Sequence, residues 1–273
     1  MKFYSSIFIL LLLSSCELIN PEEDTPAFIK IDNFDYTAVG TAKIIDAWVY
    51  VDNDLQGIYP IPNTIPVLKQ GNHSVYIAPG IKENGISASR TNYPFYQWHQ
   101  EDITLSPLDT VKINPSTSYL SDCVQWEEDF SGIGTSFHQN LFEFGIDMLS
   151  DTTVKSQNGS GEVILDGEKV RFECTTDPMF LPKDRRVYIE MDYKCNTPFF
   201  VNFYKFTPTY ANANTVMLLK EQEEWNKIYI FLSEHLASHT DATNFSLSFL
   251  MFKDSTLEQS ELYLDNIKVL YEE

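Results

Sequence analysis

The residues of this chain that could do chemistry are few and scattered. Of five histidines, only His235 and His239 are spaced to meet. An i, i+4 pair puts both rings on one helical face, with Glu234 beside them, which would suit a metal. The H-E-x-x-H pattern is absent, however, and His239-Thr240-Asp241 reads as loop. Asn158-Gly159-Ser160-Gly161 lacks the glycine two positions before the serine that a nucleophile elbow requires. Neither of the glycine patterns that cradle phosphate is present. With 39 acidic residues, a carboxylate pair at glycosidase distance is always conceivable, and sequence spacing does not fix it. A glycoside hydrolase or other hydrolase with unrecognised carboxylates therefore stays open as an alternative. The first expectation is a protein that is not an enzyme.

Binding residues are easier to find. Asn92-Tyr93-Pro94-Phe95-Tyr96-Gln97-Trp98-His99 is dense in aromatics. Its rings either fill a core or, at Tyr96 and Trp98, stack on a ligand. In Phe199 to Phe206, one strand parity carries Phe200, Asn202, Tyr204 and Phe206. Amide and aromatic groups alternating on one face suit a sugar-binding sheet, with Asn202 and Tyr204 as ligand residues, and equally suit a half-covered one. Beyond Cys16, three cysteines remain, Cys123, Cys174 and Cys195, an odd number that cannot all pair internally. Cys174 and Cys195 are candidates for a disulfide between neighbouring strands in an oxidising compartment.

The formal net charge of -20 argues against a nucleic-acid partner, which needs clustered Lys and Arg, and against docking on anionic lipid by charge. Membrane contact would need another source, and the N-terminus supplies one. Lys2 precedes the apolar run Ile7 to Leu13, too short for the roughly 20 residues of a bilayer span. Leu13-Ser14-Ser15-Cys16 resembles the bacterial lipobox, which implies a signal peptide over 1–15 and lipidation (palmitate among the chains) at Cys16. Two or three acyl chains give stable anchoring where one is marginal. Residues 16–27 read as an acidic, Pro-containing tether. Its acidic cluster resembles the export signals of Bacteroidota surface lipoproteins. Asp109-Thr110-Val111, Asp151-Thr152-Thr153 and Asp254-Ser255-Thr256 resemble that phylum's O-glycosylation sites. The implied address is the outer membrane, facing the periplasm or the cell surface.

The elements that would position these residues are nearly all strands. Ala47 to Val51 and His73 to Ile77 alternate with period two, and Gly and Pro punctuate the stretch from Gly57 to Gly85. The order Val49-x-Val51-Asp52, Gly57-x-x-Pro60, Gly71-x-His73 resembles PEGA and other immunoglobulin-like modules over 28–115. Asn114-Pro115-Ser116-Thr117-Ser118 is a polar break that marks a domain boundary. From 124 to 273, an opening Glu128-Asp129-Phe130, a Trp225-led strand and a closing Tyr263-Leu264-Asp265-Asn266-Ile267-Lys268-Val269 resemble galactose-binding and carbohydrate-binding jelly rolls. The fold class expected is all-β, an immunoglobulin-like sandwich followed by a jelly roll.

In the last strand Leu262 and Leu264 share one parity and Ile267 and Val269 the other, which predicts a bulge near Asp265-Asn266. The jelly-roll resemblance implies a structural calcium held by Asp265 with Glu128 or Asp129, hard oxygen donors of the kind calcium takes. It also implies glycan or extracellular-polymer binding by the second body. The alternative partner is an outer-membrane protein complex of which this chain is an accessory subunit.

Overall fold

The computed structural model describes residues 24–139, 149–151 and 159–272. Cys16, the leader before it, most of the tether, Thr152, Thr153 and Asn158 lie outside the described residues. The fold is all-β, as the patterning predicts: an immunoglobulin-like sandwich and then a jelly roll, the architectures that the two resemblances imply.

The first body has eight strands: β1 (Ala27–Ile31), β2 (Asp46–Val51), β3 (Asp54–Pro60), β4 (Asn63–Val67), β5 (Gly71–Lys82), β6 (Arg90–Asn92), β7 (His99–Leu105) and β8 (Thr110–Ile113). β1 lies between β4 and β8, antiparallel to the first and parallel to the second. The facing sheet runs β3-β2-β5, and the long β5 pairs β7 with its first residues and β6 with its last. Alternate residues point inward, so Ile29, Ile31, Val49, Val51, Val75 and Ile77 form one core. The β2–β3 hairpin turns on Asp52 and Asn53, with φ of 51° and 68°, the two positive dihedrals that a two-residue turn needs. Asp52 then accepts from Ser74 N at 3.1 Å and meets His73 Nδ1 at 2.6 Å. This joins the Asp and His of the motif order. Gly80 lets Asp46 come close: a Cβ there would lie 2.8 Å from the Asp46 Cβ.

The second body begins with β9 (Val124–Glu128), β10 (Phe137–Gln139), β11 (Leu149–Asp151), β12 (Ser160–Asp166) and β13 (Arg171–Thr176). It continues with β14 (Val187–Cys195), β15 (Phe199–Phe206), β16 (Ala211–Leu219), β17 (Gln222–Phe231), the short helix α1 (Ser233–Ala237), β18 (Asn244–Phe252) and β19 (Gln259–Tyr271). Two antiparallel sheets face each other. The near sheet runs β11-β12-β19-β14-β17, with β9 also on β19, and the far sheet runs β10-β13-β18-β15-β16. Their inner residues, among them Val163, Met191, Phe199, Val201, Phe249 and Leu264, form the larger core.

β19 carries the expected bulge. Its register with β14 shifts between Glu190 and Asp192, and Asn266 sits at φ 47°. The extra residue resets the parity, so Leu262, Leu264, Ile267 and Val269 all enter the same core.

A third cluster joins the bodies. Val39, Ile81, Tyr93, Phe95 and Tyr96 from the first pack on Tyr188, Tyr229 and Leu270 from the outer face of the near sheet. The backbone takes part: Asn84 N donates to Tyr229 O at 2.8 Å, and Phe231 N donates to Asn84 Oδ1 at 2.9 Å. The first body thus caps the β17 edge and covers the adjoining part of one outer face of the jelly roll.

Candidate functional site

The jelly roll has two outer faces, and the first body covers the β14–β17 side of one of them. On that near face Glu190 is fully buried; its Oε2 accepts from Tyr119 Oη at 2.7 Å and pairs with Lys227 Nζ at 3.2 Å. Lys227 Nζ also donates to Thr41 Oγ1 at 3.3 Å, and Thr41 donates in turn to Asp192 Oδ2 at 2.7 Å. Asn266, turned by the bulge, donates to the same Asp192 oxygen at 2.9 Å. Burial, and after it the Glu190 charge, pushes the Tyr93, Tyr96, Tyr119 and Tyr229 phenols up, so all stay neutral. This chemistry serves the junction.

The far face is built differently. Register lines its outward side chains up in rows across the sheet. One row is Glu173 on β13, Leu250 on β18, Phe200 on β15 and Leu218 on β16. The next brings Thr175, Ser248, Asn202 and Thr215 together, and the one after sets Ser246 opposite Tyr204. The face therefore grades from an apolar end to a polar middle. Tyr204 Oη donates to Glu173 Oε1 at 2.8 Å, Ser248 Oγ reaches the same oxygen at 3.4 Å, and Arg171 pairs with Glu173 Oε2. In that polar middle, Asn202 Oδ1 and Ser246 Oγ are buried without a hydrogen-bond partner. At the apolar end Phe252 and Leu218 stand half in solvent, at 49% and 50% exposure.

The residues singled out in the sequence separate accordingly. Asn202 and Tyr204 do share this face, Asn202 buried and Tyr204 half-buried. Tyr96 is corrected: it is 1% exposed, its ring enclosed by Tyr93, Tyr119 and Tyr229 in the junction, so it is no ligand platform. Trp98, two residues on, is 45% exposed. The Cys174–Cys195 disulfide is also corrected. Both are buried free thiols, Cys174 on β13 of the far sheet and Cys195 on β14 of the near sheet. His235 does lie on a helix, α1, but it and His239 point their rings at Phe203, with centroids 6.5 and 5.4 Å away.

The calcium donor set does not fit. Both Glu128 oxygens are taken by backbone amides, Oε1 by Phe130 N at 2.8 Å and Oε2 by Ser136 N. Asp129 Oδ1 caps its own turn, accepting from Ser131 N and Oγ, and these bonds hold its carboxyl below its ordinary value. Asp265 Oδ1 accepts from Asn266 N. Among the described residues no three His, Cys, Asp or Glu side chains come together as a metal group.

Sequence reasoning missed Glu173, Ser246 and Ser248. The signal was available in Phe245-Ser246-Leu247-Ser248-Phe249, where small hydroxyls alternate with large apolar groups, the mark of a strand with a polar outer face. Glu190 and Lys227 carried no such signal, because their role depends on the first body lying over them.

No protein-family model matches the chain, and no curated protein matches its sequence. Solved structures with a similar arrangement of strands include a xylan-binding domain of carbohydrate-binding module family 22, with 12% identity and a TM-score of 0.40 over 56% of this chain and 97% of that one. Another is a carbohydrate-binding module of the β-sandwich superfamily described as promiscuous in specificity, with 12% identity, a TM-score of 0.42 and coverage of 92% and 100%. A tandem family 22 module from Paenibacillus barcinonensis gives 10% identity, a TM-score of 0.39 and coverage of 92% and 80%. Likeness at this level says nothing about a ligand.

Proposed function

We propose that this chain is a non-catalytic envelope lipoprotein that binds a glycan through the far face of its jelly roll. In this reading, cleavage after residue 15 leaves Cys16 lipidated at the outer membrane, residues 16–27 form the tether, and the first body holds the jelly roll away from the bilayer. No helix among the described residues is long and apolar enough to cross a membrane.

One observation carries the glycan reading: the unpaired Asn202 Oδ1 and Ser246 Oγ in the polar middle of the far face. A buried acceptor without a donor costs about 1–3 kcal/mol, and native proteins leave few of them. Sugar hydroxyls are donors of the right kind, and the half-buried Tyr204 ring, bonded to the Glu173 carboxylate, is the part of this patch that faces solvent above the buried acceptors. The test is affinity electrophoresis of the full chain in gels containing soluble polysaccharides, comparing it with Asn202→Leu, which keeps volume and removes the amide. Loss of retardation is expected; an unchanged shift overturns the reading. The anchor is tested separately by Cys16→Ser, which should release the protein to the soluble fraction and abolish the added acyl mass.

The apolar end of the far face favours a second reading, an accessory subunit of an outer-membrane complex. Val170, Leu218 and Phe252 are all at least half or nearly half exposed, and exposed apolar groups gathered at one end of a sheet suit a protein partner. Stoichiometric co-purification with envelope proteins, with Phe252→Asp releasing them, would identify that role.

A further inference from the structure

Trp98 lies outside the jelly roll and outside the face just described, yet it has the features of a built binding group. Its indole stacks on Tyr50, with ring centroids 5.2 Å apart and planes 18° from parallel. That stack fixes the ring while leaving 45% of the residue exposed. Tyr50 is held in turn within an aromatic row across the sheet: it pairs with Tyr76 on β5, and Tyr76 with Gln100 on β7. Gln100 Nε2 donates to Tyr76 Oη at 3.2 Å.

Beside the indole opens a cleft of about 380 Å³, lined among others by Asp35, Thr37, Gln97, Gln100 and Ser118. Its walls are fixed by the backbone. Gln97 N donates to Ser118 O at 2.8 Å, Thr117 Oγ1 donates to Gln97 O at 2.8 Å, and Ser116 N donates to His99 Nδ1 at 3.3 Å. Asp35 Oδ1 accepts from both Thr37 N and Thr37 Oγ1, and these bonds hold its carboxyl below its ordinary value and so ionised. The cleft thus presents one aromatic plane with two side-chain amides, the hydroxyls of Thr37 and Ser118 and one carboxylate around it.

We propose that this cleft is a second glycan site, specific for neutral pyranose residues. A pyranose offers a face of weakly positive C–H groups to the electron-rich face of the indole. Its hydroxyls fit the mixed donors and acceptors of Gln97, Gln100 and Asp35. A ligand pocket of this kind, one apolar wall with a few placed polar groups, is the usual form of a small-molecule site. The Asp35 carboxylate and the -20 charge of the chain repel uronic acids, sulfated sugars and nucleotides. The site stands independently of the far-face reading. If both sites hold one polymer, their joint affinity exceeds either alone by about a hundredfold or more.

The experiment is affinity electrophoresis of the full chain through gels containing β-glucan, xylan, mannan or polygalacturonate, with Trp98→Ala, Trp98→Tyr and Gln97→Ala beside Asn202→Leu. Retention on at least one neutral polymer is expected, none on polygalacturonate. Trp98→Ala should weaken that retention at least tenfold, Gln97→Ala more mildly, and Trp98→Tyr, which keeps a ring on Tyr50, least. Gln97 is exposed, so its truncation also covers the case in which Trp98→Ala fails to fold. Wild-type retention by both Trp98→Ala and Gln97→Ala overturns the second site while leaving the far face standing. Loss with Trp98→Ala but not with Asn202→Leu overturns the far face and leaves the cleft. Absence of retention on every neutral polymer, or tighter binding to polygalacturonate, overturns the cleft.

Discussion

The two outer faces of the jelly roll are made of the same material and finished in opposite ways. Each has a buried carboxylate that accepts from a tyrosine, Glu190 from Tyr119 on the near sheet and Glu173 from Tyr204 on the far one. On the near face the chain supplies its own cover, and the charges find partners within it: Tyr119 and Lys227 for Glu190, Thr41 and Asn266 for Asp192. The atoms left over there, Glu190 Oε1 and Tyr93 Oη, are an acceptor and a donor placed as neighbours, since Glu190 helps push the Tyr93 phenol up. On the far face the leftover atoms, Asn202 Oδ1 and Ser246 Oγ, sit on neighbouring strands in different rows. Buried polarity on the near face is a structural joint. On the far face it is unfinished, which is why the far face is the candidate for an outside partner.

The comparison breaks most visibly at Lys227. Removing one member of a buried ion pair leaves the other charge uncompensated, at a cost of about 3–5 kcal/mol. Lys227→Met should therefore destabilise the chain by about that amount in denaturant melts, with both bodies affected because Thr41 loses a contact as well. A loss under about 1 kcal/mol, within what an exposed pair gives, would mean the junction is wetter than its geometry indicates.

Alkaline titration probes the same joint. Tyr93, Tyr96, Tyr119, Tyr188 and Tyr229 all have phenols raised by burial first, and Cys123, buried beside Glu190, is pushed up from 9.0 to about 11. A raised folded value means that the native state holds its proton more tightly than the unfolded chain does. Each such group contributes its full stability below its ordinary value, near pH 9 for the thiol and near 10 for the phenols, and loses it as pH climbs toward the folded value. The melting temperature should hold steady to about pH 9 and fall steeply above 10. Phenolate absorbance at 295 nm should rise with unfolding for these five. Early, reversible ionisation of these five in the native state would refute the closed junction.

The far face should respond in the opposite sense. Ser246→Ala removes a buried hydroxyl that has no partner, so stability should be unchanged or rise by up to about 1 kcal/mol, while polysaccharide retention falls. A loss of more than 1 kcal/mol on a melt would show that Ser246 is satisfied in solution. It would also remove the main contrast with the near face.

How far the sequence could be read follows from the same contrast. Strands with one face in a core announce themselves by period two, and β2, β5 and β15 were legible for that reason. The parity conflict in Leu262, Leu264, Ile267 and Val269 predicted the bulge, because a strand cannot bury both sets without one. β14 hid its role. Val187 to Tyr193 is buried at every position, so no alternation distinguishes the residues facing the jelly-roll core from those facing the first body. Glu190 and Asp192 then looked like ordinary acidic residues of an acidic chain. Glu128, Asp129 and Asp265 failed as metal ligands for a related reason: composition gives donors, but the backbone amides that occupy them belong to local turn geometry.

The smallest effect expected concerns the thiols. Cys174 is fully enclosed by the jelly-roll core and its thiol is raised by burial, while Cys195 is pushed up to about 11 for the same reason. Neither is ionised near neutral pH, so neither is a nucleophile toward a disulfide-forming partner. They lie on different sheets, and Cys123 is in the junction rather than in the core that holds the other two. Reductant should therefore shift the melting temperature by less than about one degree. A thiol reagent should find none of the three in the native protein and all three after denaturation. A drop of several degrees with reductant, as loss of a native disulfide worth about 2–4 kcal/mol would require, would show that two of these thiols pair in solution.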